Sequence, residues 1–406
     1  MPVFSYKAFD SAGKEVKGVI EAANLAMARS KLQQQRLYIR EIQEDIAKRD
    51  RTLFPFLAKF IYRIPRKDIG LFAKELGTLL GAGISLDEAL QDVWEQTSNP
   101  NLKKIILDIK NEVISGASLS EGLKNHSDIF PPVYSSMVQV GEATGSYETV
   151  LNRLSELEEK NYELKSKAIT ALIYPSFMFA MSIGVVLFLL TSVVPQIQNM
   201  FAKFKGELPL LTRFVIASSE FIRAGWPFLI LLLVAALYGL YRYRKSEVGK
   251  LKTDELLFRL PLFGKLLKKI QASRFARNFG VLLESNVSLI TAMEIVTDTI
   301  TNEVFRQELK EGLVQIKEGV SIRQALSSSE VLPQMAKGLI AAGESTDKLP
   351  QMLIKVADIL DREIDTAVKG LTTSLEPVLI VVMGVLVGGI MAAILLPIYQ
   401  ITQYIR

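Results

Sequence analysis

LFAKELGTLLGAGISLDEAL (71–90) and RFARNFGVLLESNVSLITAM (274–293) are two versions of one sequence, 203 residues apart. Phe72 aligns with Phe275, Ala73 with Ala276, Lys74 with Arg277, Leu79-Leu80 with Leu282-Leu283, and Ser85-Leu86 with Ser288-Leu289. At the same offset GASLSEGL (116–123) matches GVSIRQAL (319–326). One residue is then lost, and GEATGSYETVL (141–151) matches GESTDKLPQML (343–353) at an offset of 202. That register carries Pro175 onto Pro377 and Pro195 onto Pro397. One offset held over this distance with a single deletion marks an internal duplication.

Within each copy the apolar residues keep a helical period. Leu71, Phe72, Leu76, Leu79 and Leu80 form one stripe, a core face rather than a cofactor box. Gly81-Ala82-Gly83 breaks it, and Ser85 with Glu88 reads as a capping box for the next helix. Asn286 stands where the first copy has Gly83, and both residue types tolerate the left-handed conformation of a helix C-cap. Ser118 with Glu121 is a second capping-box signal. Each copy therefore predicts a bundle of about six helices with short connections.

Three uncharged stretches belong in a bilayer. No charge occurs from Ala168 to Ala202, and 169–194 exceeds the ~20 apolar residues needed to cross the hydrocarbon core. Gly225–Tyr241 starts on an interfacial Trp-Pro pair and borrows Phe221 and Ile222, with Arg223 at the boundary. Pro377–Ile401 is the third, with Glu376 at its start. Arg242, Arg244, Lys245, Lys250 and Lys252 crowd the far flank of the second stretch, so the positive-inside rule makes that side cytoplasmic. Lys203, Lys205, Arg213 and Arg223 on the opposite side reduce the contrast without reversing it.

The expected order along the chain follows. Residues 1–50 form a ββαβ module and 51–67 a linker; the first bundle occupies 68–168 and the first span 169–194. A periplasmic loop (195–222), a second span (223–241), a second bundle (242–373), a third span (374–397) and a periplasmic tail (398–406) complete it. The fold class is a mainly α membrane protein with two repeated cytoplasmic bundles, three transmembrane helices and a small N-terminal α/β module. In that module VFSYKAFD and KEVKGVIEA alternate as strands around Ser11-Ala12-Gly13-Lys14, residues 24 to 36 are helical in composition, and LYIREIQE supplies a third strand. The linker sets Lys and Arg beside Phe, Tyr and Leu, which suits either a membrane-surface element or packing on the first bundle. The start of the chain shows no secretory signal, which places the N-terminus in the cytoplasm.

Composition excludes several kinds of chemistry. The 406 residues are 49% hydrophobic, and 48 basic against 43 acidic side chains are intermixed, which argues against a nucleic-acid binder with one basic face. There is no cysteine, so thiolate metal sites and thiol nucleophiles are absent, and His126 is the sole histidine, a loop residue without a ligand-spaced partner. No G-x-x-x-x-G-K-[ST] occurs: Gly13-Lys14, Gly249-Lys250 and Gly264-Lys265 lack the upstream glycine and the following hydroxyl. No G-x-S-x-G or H-E-x-x-H motif occurs either, so the chain reads as a non-enzyme.

The candidate functional residues lie in three places. Gly141-Glu142 and Gly343-Glu344 each stand before a helical stretch. Their carboxylates can bind free N–H groups at that helix start or contact a partner or another subunit. A calcium ion held by Glu95, Glu142, Glu148 and neighbouring oxygens in the first bundle is the one cofactor arrangement left open, without EF-hand spacing. Pro175, Pro195, Pro377 and Pro397 bound the first and third spans, either starting and terminating helices or forming paired kinks where a helix can dock. Glu376, whose counterpart is Tyr174, is the one acidic residue beside a bilayer segment.

These features together resemble the GspF/PilC platform proteins of type II secretion and type IV pilus systems. The resemblance spans essentially the whole chain. It is carried by FSYKAFDSAGKEVKGVIEA, the duplicated motif at Phe72 and Phe275, both Gly-Glu pairs, YPSFM, VVPQIQNMF with ELPLLTR, and EPVLIVVMG with ILLPIY. The N-terminal MPVFSYKAFD and ELPLLTR resemble the secretion branch more than the pilus branch, and Thr346-Asp347 departs from the Ser-Gly frequent after Gly-Glu. The resemblance implies a multi-pass protein of the bacterial inner membrane, a hub that links a cytoplasmic secretion ATPase to pseudopilins or pilins. It also implies homo-oligomers and contacts with bitopic assembly-platform proteins, and neither cofactor nor nucleic acid. The reading from another class is a secondary transporter, since repeats are common there; three spans are too few for a transport path in one chain.

Overall fold

The computed structural model describes residues 3–9, 15–21, 27, 29, 31–32, 38–44, 64–196, 209–261 and 263–404. The chain divides at Arg63 into two units. In the N-terminal unit β1 (Val3–Phe9) is the middle strand of an antiparallel sheet, with β2 (Glu15–Glu21) and β3 (Tyr38–Glu44) at its edges. Tyr6 stands opposite Gly18 on one side and Ile42 on the other, and a bulge falls between Lys7 and Ala8 on the β3 side. Met27, Arg29, Lys31 and Leu32 are helical. The turn at 11–14, the rest of 24–36 and linker residues 51–63 lie outside the described residues.

The first bundle has six helices: α1 (Arg66–Gly81), α2 (Leu86–Gln96), α3 (Pro100–Ile114), α4 (Leu119–Asn125), α5 (Pro132–Thr144) and α6 (Tyr147–Phe188). Pro65 presets the backbone before α1, whose Ile69, Phe72, Ala73 and Leu76 recur at helical spacing and are buried. Gly83, at φ +84°, reverses the chain after α1, and the amide of Ile84 returns to the carbonyl of Leu79 at 3.1 Å. Asn286, at φ 62°, does the same in the second copy, with Val287 bonded to Leu282 at 3.1 Å. The Ser118–Glu121 capping box forms. The one expected at Ser85 and Glu88 does not: Ser85 precedes α2 without capping it, and its hydroxyl bonds the Asp87 carboxylate, which is thereby held below its ordinary range.

After a π-helical turn (Leu189–Val193), α7 (Leu210–Arg244) leads to the second bundle. Its six helices are α9 (Phe263–Glu284), α10 (Leu289–Thr299), α11 (Glu303–Lys317), α12 (Ile322–Ala325), α13 (Gln334–Ser345) and α14 (Leu349–Tyr404). An additional helix, α8 (Glu247–Arg259), packs on α9 and α11 ahead of them. It occupies what reads in sequence as a charged membrane flank. One continuous buried cluster runs through both bundles, with Phe72 against Phe130 at 5.5 Å and Phe275 against Phe279 at 5.5 Å. Burying each such ring contributes roughly 1.5–3 kcal/mol.

Among the described residues three helices are long and apolar enough to cross a membrane. Along α7, Phe228, Leu232 and Tyr238 are all largely exposed, a distribution that only lipid can satisfy. Two expectations about these segments change. Residues 210–222, read as loop, are the opening turns of α7, because no glycine or proline interrupts them between Pro209 and Gly225. Pro175, Pro377 and Pro397 do not start or end helices. They lie inside α6 and α14, which run from bundle into span without a break. The 56 residues of α14 extend roughly 80 Å at 1.5 Å per residue. Each proline withdraws one backbone donor from its helix, a loss a long, otherwise intact helix absorbs.

Candidate functional site

The two Gly-Glu pairs occupy the last turns of α5 and α13, and their carboxylates act on helices that precede them. Glu142 accepts hydrogen bonds from the Ser120 amide at 3.0 Å and from the Ser120 hydroxyl, closing the first turn of α4. Glu344 accepts from the amides of Ile322 at 2.8 Å and Arg323 at 3.1 Å, closing α12. The expectation that each glutamate serves the helix following it is therefore corrected. α6 and α14 begin beyond a left-handed turn, at Gly145 (φ 69°) and Asp347 (φ 54°), so the glutamates face back along the bundle. Asp347 holds the turn that Gly145 makes in the first copy, so the departure at Thr346-Asp347 leaves it intact.

The glycines have a separate task. A Cβ on Gly141 would stand 3.3 Å from Val150 Cγ2, and one on Gly343 would stand 2.9 Å from the Cα of Leu349 and 2.9 Å from Met352 Cβ. Each lets the last helix of its bundle press against the preceding one. Phe72 and Phe275 are fully enclosed, and Phe275 also meets Phe305 edge-on at 5.7 Å. His126 ends α4 as its C-cap, in line with an ordinary loop role.

Among the described residues no group of three or more His, Asp or Glu side chains is placed to hold a metal ion. Both oxygens of Glu142 are committed to Ser120, and Glu95 accepts from Gln91.

At the start of the membrane segments α6 and α14 run side by side, and equivalent positions of the two copies meet. The Tyr174 hydroxyl donates to Glu376 Oε1 at 3.2 Å. Tyr174, Pro175, Met178, Glu376 and Leu379 enclose a space of about 10 Å³ where the two helices meet. Tyr174 and Glu376 lie on the exposed surface of the pair.

At the other end of the spans α6, α7 and α14 converge on Leu190, Val194, Val215, Ile390 and Ala393. The π-helical turn shifts the backbone pattern there, and the Leu190 carbonyl accepts from the Ser219 hydroxyl. Thr212 Oγ1 donates to the Ala393 carbonyl at 2.6 Å. Hydroxyl-to-carbonyl bonds of this kind fasten helices where no water competes. Pro195 lies just beyond this cluster in the helical end of the segment, and the side chain of Pro397 is outside the described residues.

Several structural residues carry no local sequence signal. Arg153 on α6 reaches the second bundle, where it donates to the Glu284 carbonyl at 2.5 Å and the Ser285 hydroxyl at 3.2 Å. Arg277 pairs with Asp358 at 2.8 Å and Asp361 at 2.6 Å. In the first copy Glu158 pairs with Arg66 at 3.3 Å beside the buried Tyr134. The partners are far apart in the chain, so only the packing of α1 on α6, of α6 on α9 and of α9 on α14 reveals them.

Comparison with known proteins adds a family match. The family described as Type II secretion system (T2SS), protein F matches residues 72–195 and again 275–397, the two copies found by internal alignment. The family's N-terminal domain matches residues 1–43. The chain is 37% identical over 404 residues to a type IV pilus assembly protein PilC of Thermus thermophilus, covering 99% of this chain and 98% of the relative. It is 32% identical over 407 residues to a type II secretion system protein F of Vibrio cholerae, covering 99% of each. A PilC of Pseudomonas aeruginosa is 33% identical over 341 residues, 84% of this chain and 91% of the relative.

Proposed function

The chain belongs to the type II secretion system protein F family, and from that premise we propose that it is the inner-membrane assembly platform of a type II secretion system. It couples a cytoplasmic ATPase to pseudopilin assembly for protein export. The observation that carries this reading is the doubled family domain, each copy a helical bundle continuous with a membrane span through α6 or α14. Such a helix passes a push on the bundle into the bilayer without an intervening hinge. The sequence offers no phosphate-binding loop, so energy comes from a partner and the platform itself is not an enzyme.

The basic flank after the second span supports a cytoplasmic position for both bundles, within reach of the ATPase. Pseudopilins, membrane-borne helices, meet the spans, and Glu376 with Tyr174 on the exposed surface is the polar point they encounter. Bitopic assembly-platform proteins complete the partner set. A second reading, platform of a type IV pilus, is favoured by the 37% identity to the Thermus pilus protein.

Co-purification of the detergent-solubilised chain with its genomic neighbours, identified by mass spectrometry, tests the proposal. Recovery of a secretion ATPase and pseudopilins is the expected result. A pilus ATPase with a major pilin moves the assignment to the pilus reading, and recovery of neither overturns both.

A further inference from the structure

Arg244 ends α7 on the bundle side of the membrane, the extended Ser246 turns the chain off that axis, and α8 follows at once. Val248 is therefore at most roughly 14 Å from Arg244. The other end of α8 returns to a similar level. α9 runs antiparallel to α14, with Arg277 on Asp358 and Lys269 on Glu363 at 2.7 Å. Phe263, about 9 Å further along α9, stands level with Gly370 and roughly 10 Å short of Pro377, where the third span opens. A helix with both ends this close to the bilayer lies along it. Asp254 fixes it there from its enclosed side, accepting from Arg244 and from the Glu303 amide, each at 3.0 Å.

The outward side of α8 carries apolar residues where a water-facing helix would carry polar ones. Val248, Leu256, Leu260 and Phe263 are 41–64% exposed within one short stretch. Elsewhere in the two bundles large apolar side chains this exposed stand singly, as at Ile114, Ile290 and Val314. Tyr238, Tyr241 and Tyr243 on the last turns of α7 are exposed too, so the strip continues a surface that already meets lipid. Cations flank it. Arg259 is paired with Glu255 at 2.6 Å, whereas Arg242, Lys252 and Lys265 are exposed, and Lys245 lies over the Tyr241 ring at 5.0 Å.

We propose that α8 is an interfacial helix. Val248, Leu256, Leu260 and Phe263 enter the headgroup layer of the leaflet nearest the bundles, and Arg242, Lys252 and Lys265 bind the phosphates of its anionic lipids. The occupant is a lipid surface, because the strip continues a lipid-facing helix and both its ends reach the level of the bilayer. Held at α8 as well as through α14, the second bundle keeps a fixed attitude to the membrane. The inference rests on the spans and on the packing of α8, not on the function proposed above.

The chain has no cysteine, so an introduced thiol is the only one present. Full-length Leu256→Cys and Phe263→Cys chains are labelled with bimane and reconstituted into vesicles of phosphatidylethanolamine and phosphatidylglycerol. Val248→Cys replaces either variant that does not yield a monodisperse chain. Ile114→Cys is the reference: it is as exposed as Leu256 but ends α3, whose start is held by Asn99 at the first turn of α1, near the membrane. A nitroxide on the upper acyl chain of the lipid is expected to quench the labels at 256 and 263 by roughly twofold or more, and the label at 114 hardly at all. Aqueous iodide gives the reverse order, and vesicles without phosphatidylglycerol give weaker lipid quenching at 256 and 263. Lipid quenching at those two positions no greater than at 114 overturns the proposal. With access to iodide the face then meets water; without it the face is covered by protein, whether residues 1–63 or a partner. Equal quenching with and without phosphatidylglycerol overturns the role given to the basic side chains.

Discussion

In both copies the first helix of the bundle crosses the last at a glycine, Gly77 against Leu151 and Gly280 against Leu353, with a notional Cβ at 3.0 Å and 3.1 Å from the leucine. The charges beside that crossing are reversed. The first copy encloses an anion: the Glu158 side chain is 4% exposed, and its partner Arg66 is 47% exposed. The second encloses a cation: the Arg277 side chain is 10% exposed and faces Asp358 and Asp361, with the Ser273 hydroxyl on Asp361. The duplication has therefore kept the close helix approach and the carboxylate caps, while the enclosed ion differs in sign and in position: Glu158 corresponds to Leu360, and Arg277 to Lys74. Backbone proximity has no substitute at these positions. A buried ion needs only a counter-ion in good geometry.

The largest effect that can break this comparison lies at Arg277. Arg277→Met leaves the enclosed Asp361 carboxylate, 14% exposed, without its counter-ion and beside the half-exposed Asp358, and we expect a loss of about 3 kcal/mol. The equivalent Lys74 is exposed, so Lys74→Met changes stability by about 0.5 kcal/mol or less. Thermal unfolding of the two variants in detergent checks this. Equal losses would mean that the charge reversal carries no structural weight.

A smaller difference separates the two Gly-Glu motifs. An alanine Cβ at Gly343 meets the Leu349 backbone, which cannot yield without moving the start of α14, and a cost of about 2 kcal/mol follows. At Gly141 the neighbour is a valine methyl at 3.3 Å, and the better helix propensity of alanine offsets the crowding, leaving roughly no net change. Unfolding midpoints for Gly343→Ala and Gly141→Ala test the asymmetry; matching shifts would show that the two turns are packed alike.

The sequence made the architecture legible because periodicity and duplication are local or self-referential signals. The six-helix plan of each copy, the equivalence of Gly83 with Asn286 and the three spans all follow from patterns within a few turns or from one register. The duties of Glu142 and Glu344 were not legible, since each caps a helix through an amide 22 residues upstream. The prolines misled for a different reason. Their effect on a helix depends on how much intact helix surrounds them, and α6 and α14 extend well to either side. Helix α8 was masked by its own charge, and Arg277 with its two aspartates is a match that only the packing of α9 on α14 brings about.

The smallest expected effect, and one of opposite sign, concerns Tyr134. Its hydroxyl and Glu158 Oε2 are enclosed within reach of each other, but the approach is too poorly aligned to make a hydrogen bond for either. The second copy carries Ala336 and Leu360 at these positions and so avoids the problem. Burial pushes the Tyr134 hydroxyl well above its ordinary value, and the charge of Glu158 adds to the shift. The fold thus retains a proton that the unfolded chain releases near pH 10, and stability falls as the pH rises above about 10. Tyr134→Phe removes an unpaired polar group, so stability at neutral pH should hold or rise by up to about 1 kcal/mol. The alkaline decline should also become shallower than in the parent chain, whose other tyrosines set the common baseline. A clear loss at neutral pH would mean that the hydroxyl is bonded to Glu158 after all, and that the first copy encloses its anion with two partners, as the second encloses its cation.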